Sequence, residues 1–264
     1  VVGSFRGHLA LHLEGIRLGI AVRLTNRVDF AASLLVMMGM EFVPTLITAL
    51  LYGSGRAFPG WSLHEALLIQ GVFLVAKGIA YPLFGGMVWN TGEMVRDGSF
   101  ELLLLQPRHP LQTCMARAFD AEDLGKLAGG IMLSGWCLSR LPAPTAMQLA
   151  GFAVFFALSI ALFLASIVAM GSLLIVWVGN YRVYEIFDTI ASLGQFPIAV
   201  LPPRLRGLAV AGFPFAAFAV IPASSLLGRS VEGAWMAVVS VALLLGLSLW
   251  FWNRLLRRLV GAGG

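Results

Sequence analysis

Apolar runs of about twenty residues recur along this chain, and they leave few folds open to it. A helix needs about twenty such residues to cross the ~30 Å hydrocarbon layer of a bilayer. Inside that layer every backbone amide and carbonyl must be bonded within the protein, which helices achieve and open strands do not. Candidate spans lie at 30–52, 62–89, 123–140, 148–177, 185–203 and 234–253. The composition agrees, since only 12% of the 264 residues are charged, about half the share found in soluble domains. The expected fold class is all-α: a polytopic membrane protein of six transmembrane helices, with residues 1–264 forming a single transmembrane domain.

Six crossings put both termini on one side, and the basic residues select which. With the N-terminus inside, twelve fall on inner segments (Arg6, Arg17, Arg23, Arg27, Arg96, Arg108, Arg117, Lys126, Arg182, Arg254, Arg257, Arg258) and five on outer loops (Arg56, Arg140, Arg204, Arg206, Arg229). The positive-inside rule therefore favours cytoplasmic termini. The same rule accounts for the net charge of +5 without a nucleic-acid partner, because no basic run carries interleaved aromatics outside an apolar segment. Val1 to Gly7 lack the basic start, short apolar core and cleavage site of a secretory signal, so insertion is expected to rest on the first span. Residues 4–25 alternate Phe5, Leu9, Leu13, Ile16, Ile20 and Leu24 with Arg6, Glu14, Arg17 and Arg23, the pattern of an amphipathic helix lying at the membrane surface.

Two interruptions stand out. Residues 90–122 form the largest polar stretch, inside by the charge distribution, where Gly98 and Pro107 bracket a short leucine-rich helix with acidic residues near its start. A soluble partner has a place to dock there, through Glu93, Arg96, Asp97, Phe100, Glu101 and Arg108. Residues 194–228 are apolar but punctuated by Pro197, Pro202, Pro203, Pro214 and Pro222. Proline breaks helices, and broken backbone is not tolerated against lipid. The fifth span is therefore expected to end near Pro202, followed over 204–228 by half-helices dipping back from the outer face, with Pro202, Pro203, Pro214 and Pro222 at an outer gate.

Glu41 and Lys77 lie about 11 and 12 residues from the inner ends of the first and second spans, roughly 16–18 Å deep at 1.5 Å per residue. Charges at such depth face a partner or a wet cavity. They are expected either to pair across neighbouring helices or to line a path, and a pair that only fixes helix register weighs equally. His8 and His12 have metal-compatible spacing but no third ligand, and Cys114 and Cys137 suggest neither a disulfide nor a zinc site. No metal site and no catalytic residue are expected. Gly125, Gly129, Gly130 and Ser134 give the third span a small-residue face for close packing, within the chain or at a dimer seam. Trp61, Trp89, Trp136, Trp177, Trp250 and Trp252 fall near span ends and read as interfacial anchors.

Across the polar interruption, Arg96, Gly98, Leu103, Leu104, Pro107, Pro110 and Leu111 follow one another in an order that resembles the permease subunits of type-2 ABC exporters, in particular the viologen-exporter-like subfamily. The segment from Phe213 to Gly228 looks like that family's outer re-entrant element, and the stretch from Trp252 to Gly264 like its basic, glycine-ended tail. Gln106 departs from the pattern, since many relatives carry a basic residue there. The resemblance implies a chain without ATPase activity, bound to a cytoplasmic ABC ATPase that holds the ATP and Mg. It also implies a second permease, related but different, and export of a small-molecule or lipid-like substrate across a bacterial inner membrane. The 92–111 segment and the surface helix would then carry motion from the ATPase to the spans. The residues agree on the ATPase: Gly125 and Lys126 are followed by Leu127, and Asp120 stands where a phosphate-binding loop needs its first glycine.

Two other classes compete. An ion-coupled secondary transporter would use Glu41 or Asp188 as a proton carrier, but such folds show broken helices in both halves, whereas the proline-rich break here lies only in the second. An intramembrane enzyme needs a nucleophile and a base at one depth, yet His8, His12, His64 and His109 lie outside the spans or at their ends, and no G-x-S-x-G occurs.

Overall fold

In the computed structural model of the protein, residues 5–177, 182–230 and 233–262 are described, and within them the side chains of 5–9, 203 and 258–262 are not. The first residue of the expected surface helix, the last two of the glycine-ended tail, and the side chains of Arg6, His8, Pro203 and Arg258 thus lie outside the described residues. Helix is the regular structure throughout them, and no strand occurs among them.

The chain opens with α1 (Phe5–Leu24) and then enters a long apolar helix in two pieces, α2 (Arg27–Glu41) and α3 (Val43–Gly53). The break falls at Phe42 because Pro44 has no amide to donate to the carbonyl four residues back. The Phe42 amide instead closes a tighter turn onto Gly39, 3.1 Å away. A capping box starts α4 (Leu63–Ala80): the Ser62 amide donates to Glu65 Oε2 at 2.9 Å, and the Glu65 amide faces Ser62 Oγ. The helix widens into a π turn at Tyr81–Gly85 and continues as α5 (Gly86–Arg96). Pro82 explains the widening, since it cannot bond Gly78. The polar interruption holds two short helices, α6 (Phe100–Leu104) and α7 (Pro110–Ala116), before α8 (Leu124–Leu138). A second capping box, Thr145 with Gln148, starts α9 (Ala146–Val176).

Beyond it come α10 (Arg182–Ser192), two 3₁₀ turns, α11 (Pro203–Gly207), a π turn at Leu208–Gly212, a 3₁₀ turn at Phe215–Ala217, α12 (Val220–Leu226) and α13 (Ala234–Ala262). Among the described residues four helices are long and apolar enough to cross a membrane: Arg27–Gly53, Leu63–Arg96, Ala146–Val176 and Ala234–Arg257. The other two expected spans are shorter than the hydropathy suggests. The 123–140 stretch gives α8, 15 residues or about 22 Å. The 185–203 stretch gives the 11-residue α10 followed by 3₁₀ turns, because Pro197, Pro202 and Pro203 remove the amides a longer helix would need.

α4 forms the centre of the bundle. It is buried without interruption from Ala66 to Leu74, the mark of a helix covered on every side. α8 runs antiparallel to it, close enough that a Cβ on Gly71 would meet Ser134, one on Gly78 the Leu127 backbone, and one on Gly130 the Val75 amide. Gly125 and Gly129 turn the other way, against Leu34, Met38 and Phe42 of the first span. The small-residue face is therefore consumed within the chain, and no part of it is left for a dimer seam. Phe73, Phe163 and Phe218 join α4, α9 and the approach to α12, their ring centroids 4.4–6.2 Å apart. Ser159, 13 residues or about 20 Å into α9, donates to the Phe218 carbonyl at 2.5 Å. From there α12 returns along α9, with Ser225 against Gly151 and Gly228 against Gln148.

The two ends of the bundle are built differently. At one, Arg229 donates to the Gly60 carbonyl (2.8 Å) and to Glu65 (2.6 Å) and stacks over Trp61. At the other, α1, the polar interruption and the end of α13 meet: Arg23 pairs with Asp120 (3.6 Å) and Glu122, Asn90 donates to the Arg117 carbonyl, and His109 bonds Asn253 at 3.0 Å. Trp89, Trp136, Trp177 and Trp250 are exposed as interfacial anchors require, but Trp252 is not an anchor. It is fully buried, its ring against Phe100.

Candidate functional site

Three irregularities of the bundle come together at one point: the break after α2, the π turn after α4, and α10. Glu41 is the last residue of α2, Lys77 lies on α4, Tyr81 opens the π turn, and Asp188 lies on α10. The Lys77 ammonium is 2.8 Å from Glu41 Oε1 and 3.2 Å from Asp188 Oδ1. Lys77 and Tyr81 stand four apart, on one helix face, and the Tyr81 hydroxyl donates to the same Asp188 oxygen at 2.9 Å. On the far side of Tyr81, Lys126 pairs with Asp123 and its ammonium lies 4.9 Å from the Tyr81 ring. Three carboxylates thus face two ammonium groups around one tyrosine. Lys77 is only 7% exposed, whereas Asp188 is 34% exposed, so the cluster opens at the α10 side.

α10 explains that opening. Tyr184, Phe187, Asp188 and Ala191 form one stripe. It packs inward, with Tyr184 5.0 Å from the Trp89 ring and Phe187 5.8 Å from Phe213. Arg182, Glu185 and Thr189 are exposed on the other side. Ile186 and Ile190 are exposed there as well, so the outward face of α10 is mixed polar and apolar. The cluster holds neither a nucleophile beside a base nor an open set of metal ligands. Its chemistry is ion pairing across three helices.

The segment from Glu93 to Arg108 is ordered by its own local bonds. Gly98 has φ +78°, a left-handed turn that favours glycine. The Ser99 amide donates to Asp97 at 2.9 Å, and hydrogen bonds from Ser99 hold the Asp97 carboxyl below its ordinary value. Glu93, Arg96, Asp97, Glu101 and Arg108 are exposed, beside Leu102 and Leu105 at 63% and 82% exposure. Phe100 is buried beneath them against Trp252. Of the four prolines expected at an outer gate, Pro202 is exposed, Pro214 and Pro222 are buried, and the side chain of Pro203 lies outside the described residues. A cavity of 940 Å³ opens at that end between Trp61, Arg206, Ser224, Arg229 and Met236, and Pro202, Pro214 and Pro222 are not among its walls.

Residues 35–263 match the family model of the ABC-2 family transporter proteins. The chain belongs to the ABC-2 transporter family. It is therefore an ABC transporter permease and a multi-pass membrane protein of transmembrane transport. ABC-2 membrane proteins are permease components, generally not catalytic, and membership implies an ABC ATPase as partner. No curated protein and no solved structure matches the chain. The ABC-2 match takes in Glu41, Lys77, Tyr81, Asp123, Lys126 and Asp188 and leaves α1 outside.

Sequence reasoning brought Glu41 and Lys77 forward in this ABC-2 protein, and the structure joins them directly. Asp188 entered only as a proton carrier of a competing reading, while Tyr81, Asp123 and Lys126 were missed. The i, i+4 spacing of Lys77 and Tyr81 beside Pro82 was the available signal for the tyrosine.

Proposed function

We propose that this protein is one permease half of an ATP-driven exporter of a small-molecule or lipid-like substrate, akin to the viologen-exporter-like permeases. In this reading it forms the path with a second, related permease, and a separate cytoplasmic ABC ATPase binds ATP and Mg and hydrolyses the nucleotide. The chain crosses a bacterial inner membrane six times with both termini cytoplasmic, α8 and the broken α10 segment serving as the third and fifth crossings. Residues 204–228 act as the outer re-entrant element and gate.

The observation that carries this reading is the ABC-2 family match over residues 35–263, and the buried ion cluster that opens beside α10 supports it. Two carboxylates from separate helices share one ammonium, so a small rotation of α10 would release Asp188 while Glu41 still neutralises Lys77, a change of contacts of the kind a two-state transporter requires. The exposed charges Glu93, Arg96, Asp97, Glu101 and Arg108, set over the buried Phe100, supply a docking surface that would pass the ATPase motion to Trp252 and α13.

The test is cargo-stimulated ATP hydrolysis by the co-purified complex in vesicles. Arg96→Glu combined with Glu101→Arg should reduce ATPase co-purification while leaving the permease folded. Undiminished co-purification would remove the docking assignment. The shared Asp188 oxygen between Lys77 and Tyr81 also favours a second reading, ion-coupled transport through Glu41 or Asp188. Transport that continued without ATP and collapsed with the proton gradient would select it.

A further inference from the structure

One face of α13 carries Leu243, Leu247, Trp250, Arg254 and Arg257, spaced four, three, four and three residues apart and so aligned in a single stripe. The two leucines and Trp250 are 58–60% exposed, and both arginines are exposed. From Leu243 to Arg254 is about 16 Å along the helix, close to half of the ~30 Å hydrocarbon layer. The stripe therefore passes from apolar, through an indole, to two guanidinium groups over the depth of one leaflet.

The arginine end is concave. Two adjoining clefts of 390 and 500 Å³ share Asn253 and Arg257 as walls, one completed by Trp250 and Arg254, the other by Leu104 and His109. None of the described lining residues is acidic, and neither arginine forms an ion pair among the described residues. The Arg254 guanidinium lies 5.6 Å from the Trp250 ring, which leaves its edge free to bond an anion. Asn253 and His109 are bonded to each other at 3.0 Å and brace the wall between the clefts. The fork geometry of arginine suits phosphate oxygens, and basic pockets at the cytoplasmic ends of transmembrane helices suit anionic headgroups.

We propose that these clefts bind the phosphate headgroup of an anionic phospholipid, whose acyl chains lie along Leu243 and Leu247. The site is occupied from the leaflet beside the 97–120 segment, independently of cargo and of ATP. It also touches Leu104 and His109, so the lipid bridges α13 to the segment assigned to ATPase coupling.

The experiment uses the full chain in phosphatidylcholine vesicles containing either brominated phosphatidylglycerol or brominated phosphatidylcholine, without ATP or ATPase. Quenching of Trp250 is read as the difference from Trp250→Phe. Each arginine near an anionic surface contributes about fivefold, so with two arginines the mole fraction of anionic lipid that quenches Trp250 should be about 25-fold lower than that of the zwitterionic lipid. Arg254→Gln with Arg257→Gln should abolish the preference, and the paired lysine variant, which keeps the charge needed for insertion, should retain most of it. Equal quenching by the two lipids, or an undiminished preference in the glutamine variant, overturns the proposal. Excess inorganic phosphate should lower the preference more than chloride of equal ionic strength, and equal effects of the two salts would overturn recognition of the phosphate group. Should the glutamine variant fail to fold, native mass spectrometry of the unaltered protein decides: retained phosphatidylglycerol supports the site, and its absence after exposure to that lipid refutes it.

Discussion

An ammonium among apolar helices stands or falls with its counter-charges, and Lys77 has two. Removing only the lysine leaves Glu41 and Asp188 close together with nothing to neutralise them. Breaking a buried pair in this way costs about 3–5 kcal/mol, whereas removing all the charges together is far less costly, and with well-packed apolar residues often neutral. Lys77→Met should therefore lower the thermal unfolding midpoint in detergent sharply, and Lys77→Met with Glu41→Gln and Asp188→Asn should recover most of it. A single variant as stable as the unaltered protein would mean that the cluster does not hold these helices. Cys114 provides a second test at this scale. It is fully buried, and burial pushes its thiol up to about 11, so at neutral pH it is both shielded and protonated, while the maleimide-reactive species is the thiolate. Maleimide should label it slowly in the folded protein and fully after denaturation.

The helices are held apart or together by what their contact faces lack. At Gly78 a Cβ would press on the Leu127 backbone, while at Gly246 on α13 nothing lies within 4 Å. Gly78→Val should therefore push α4 from α8 and cost about 1–3 kcal/mol or more. Gly246→Ala should gain about 0.5–1 kcal/mol from the stiffer unfolded chain. Thermal melts of the two variants in the same detergent separate close packing from a general intolerance of change at glycine. The π turn is a similar local device. Pro82→Ala returns an amide to the ladder, letting α4 and α5 run as one regular helix, which would turn Tyr81 away from Asp188. The expected result is unchanged or higher stability with reduced cargo-stimulated ATP hydrolysis, and full activity would show that the turn is incidental.

At the scale of the molecule, the two ends of the bundle should be accessible from opposite sides of the membrane. Both native cysteines are buried, so single cysteines report with little background. An impermeant maleimide should label Ser54→Cys in intact cells and Gln106→Cys only after permeabilisation, and the reverse pattern would invert the orientation. Hydropathy and the spread of Lys and Arg are read one segment at a time, which is why helical class, membrane embedding and the polar interruption at 90–122 were legible in the chain alone. The expectation that Glu41 and Lys77 could pair came from the same counting, and the two groups are 2.8 Å apart. Hydropathy also overstated two helices, because Leu and Ile beside prolines score as well as Leu and Ile inside a helix, and α10 ends at Ser192. Trp252 was misplaced because its position near a span end could not reveal that Phe100 covers it. Asp188 lies more than a hundred residues from Lys77 and Tyr81, and Lys126 forty-five from Tyr81, so no local pattern links them. Their meeting depends on α8 packing along α4 and on α10 bringing Asp188 to the Lys77–Tyr81 end of α4, which glycine contacts, ring packing and a proline-widened turn bring about. Local hydrophobicity decides that a segment enters the bilayer; which charges then neutralise one another is set by the packing of whole helices.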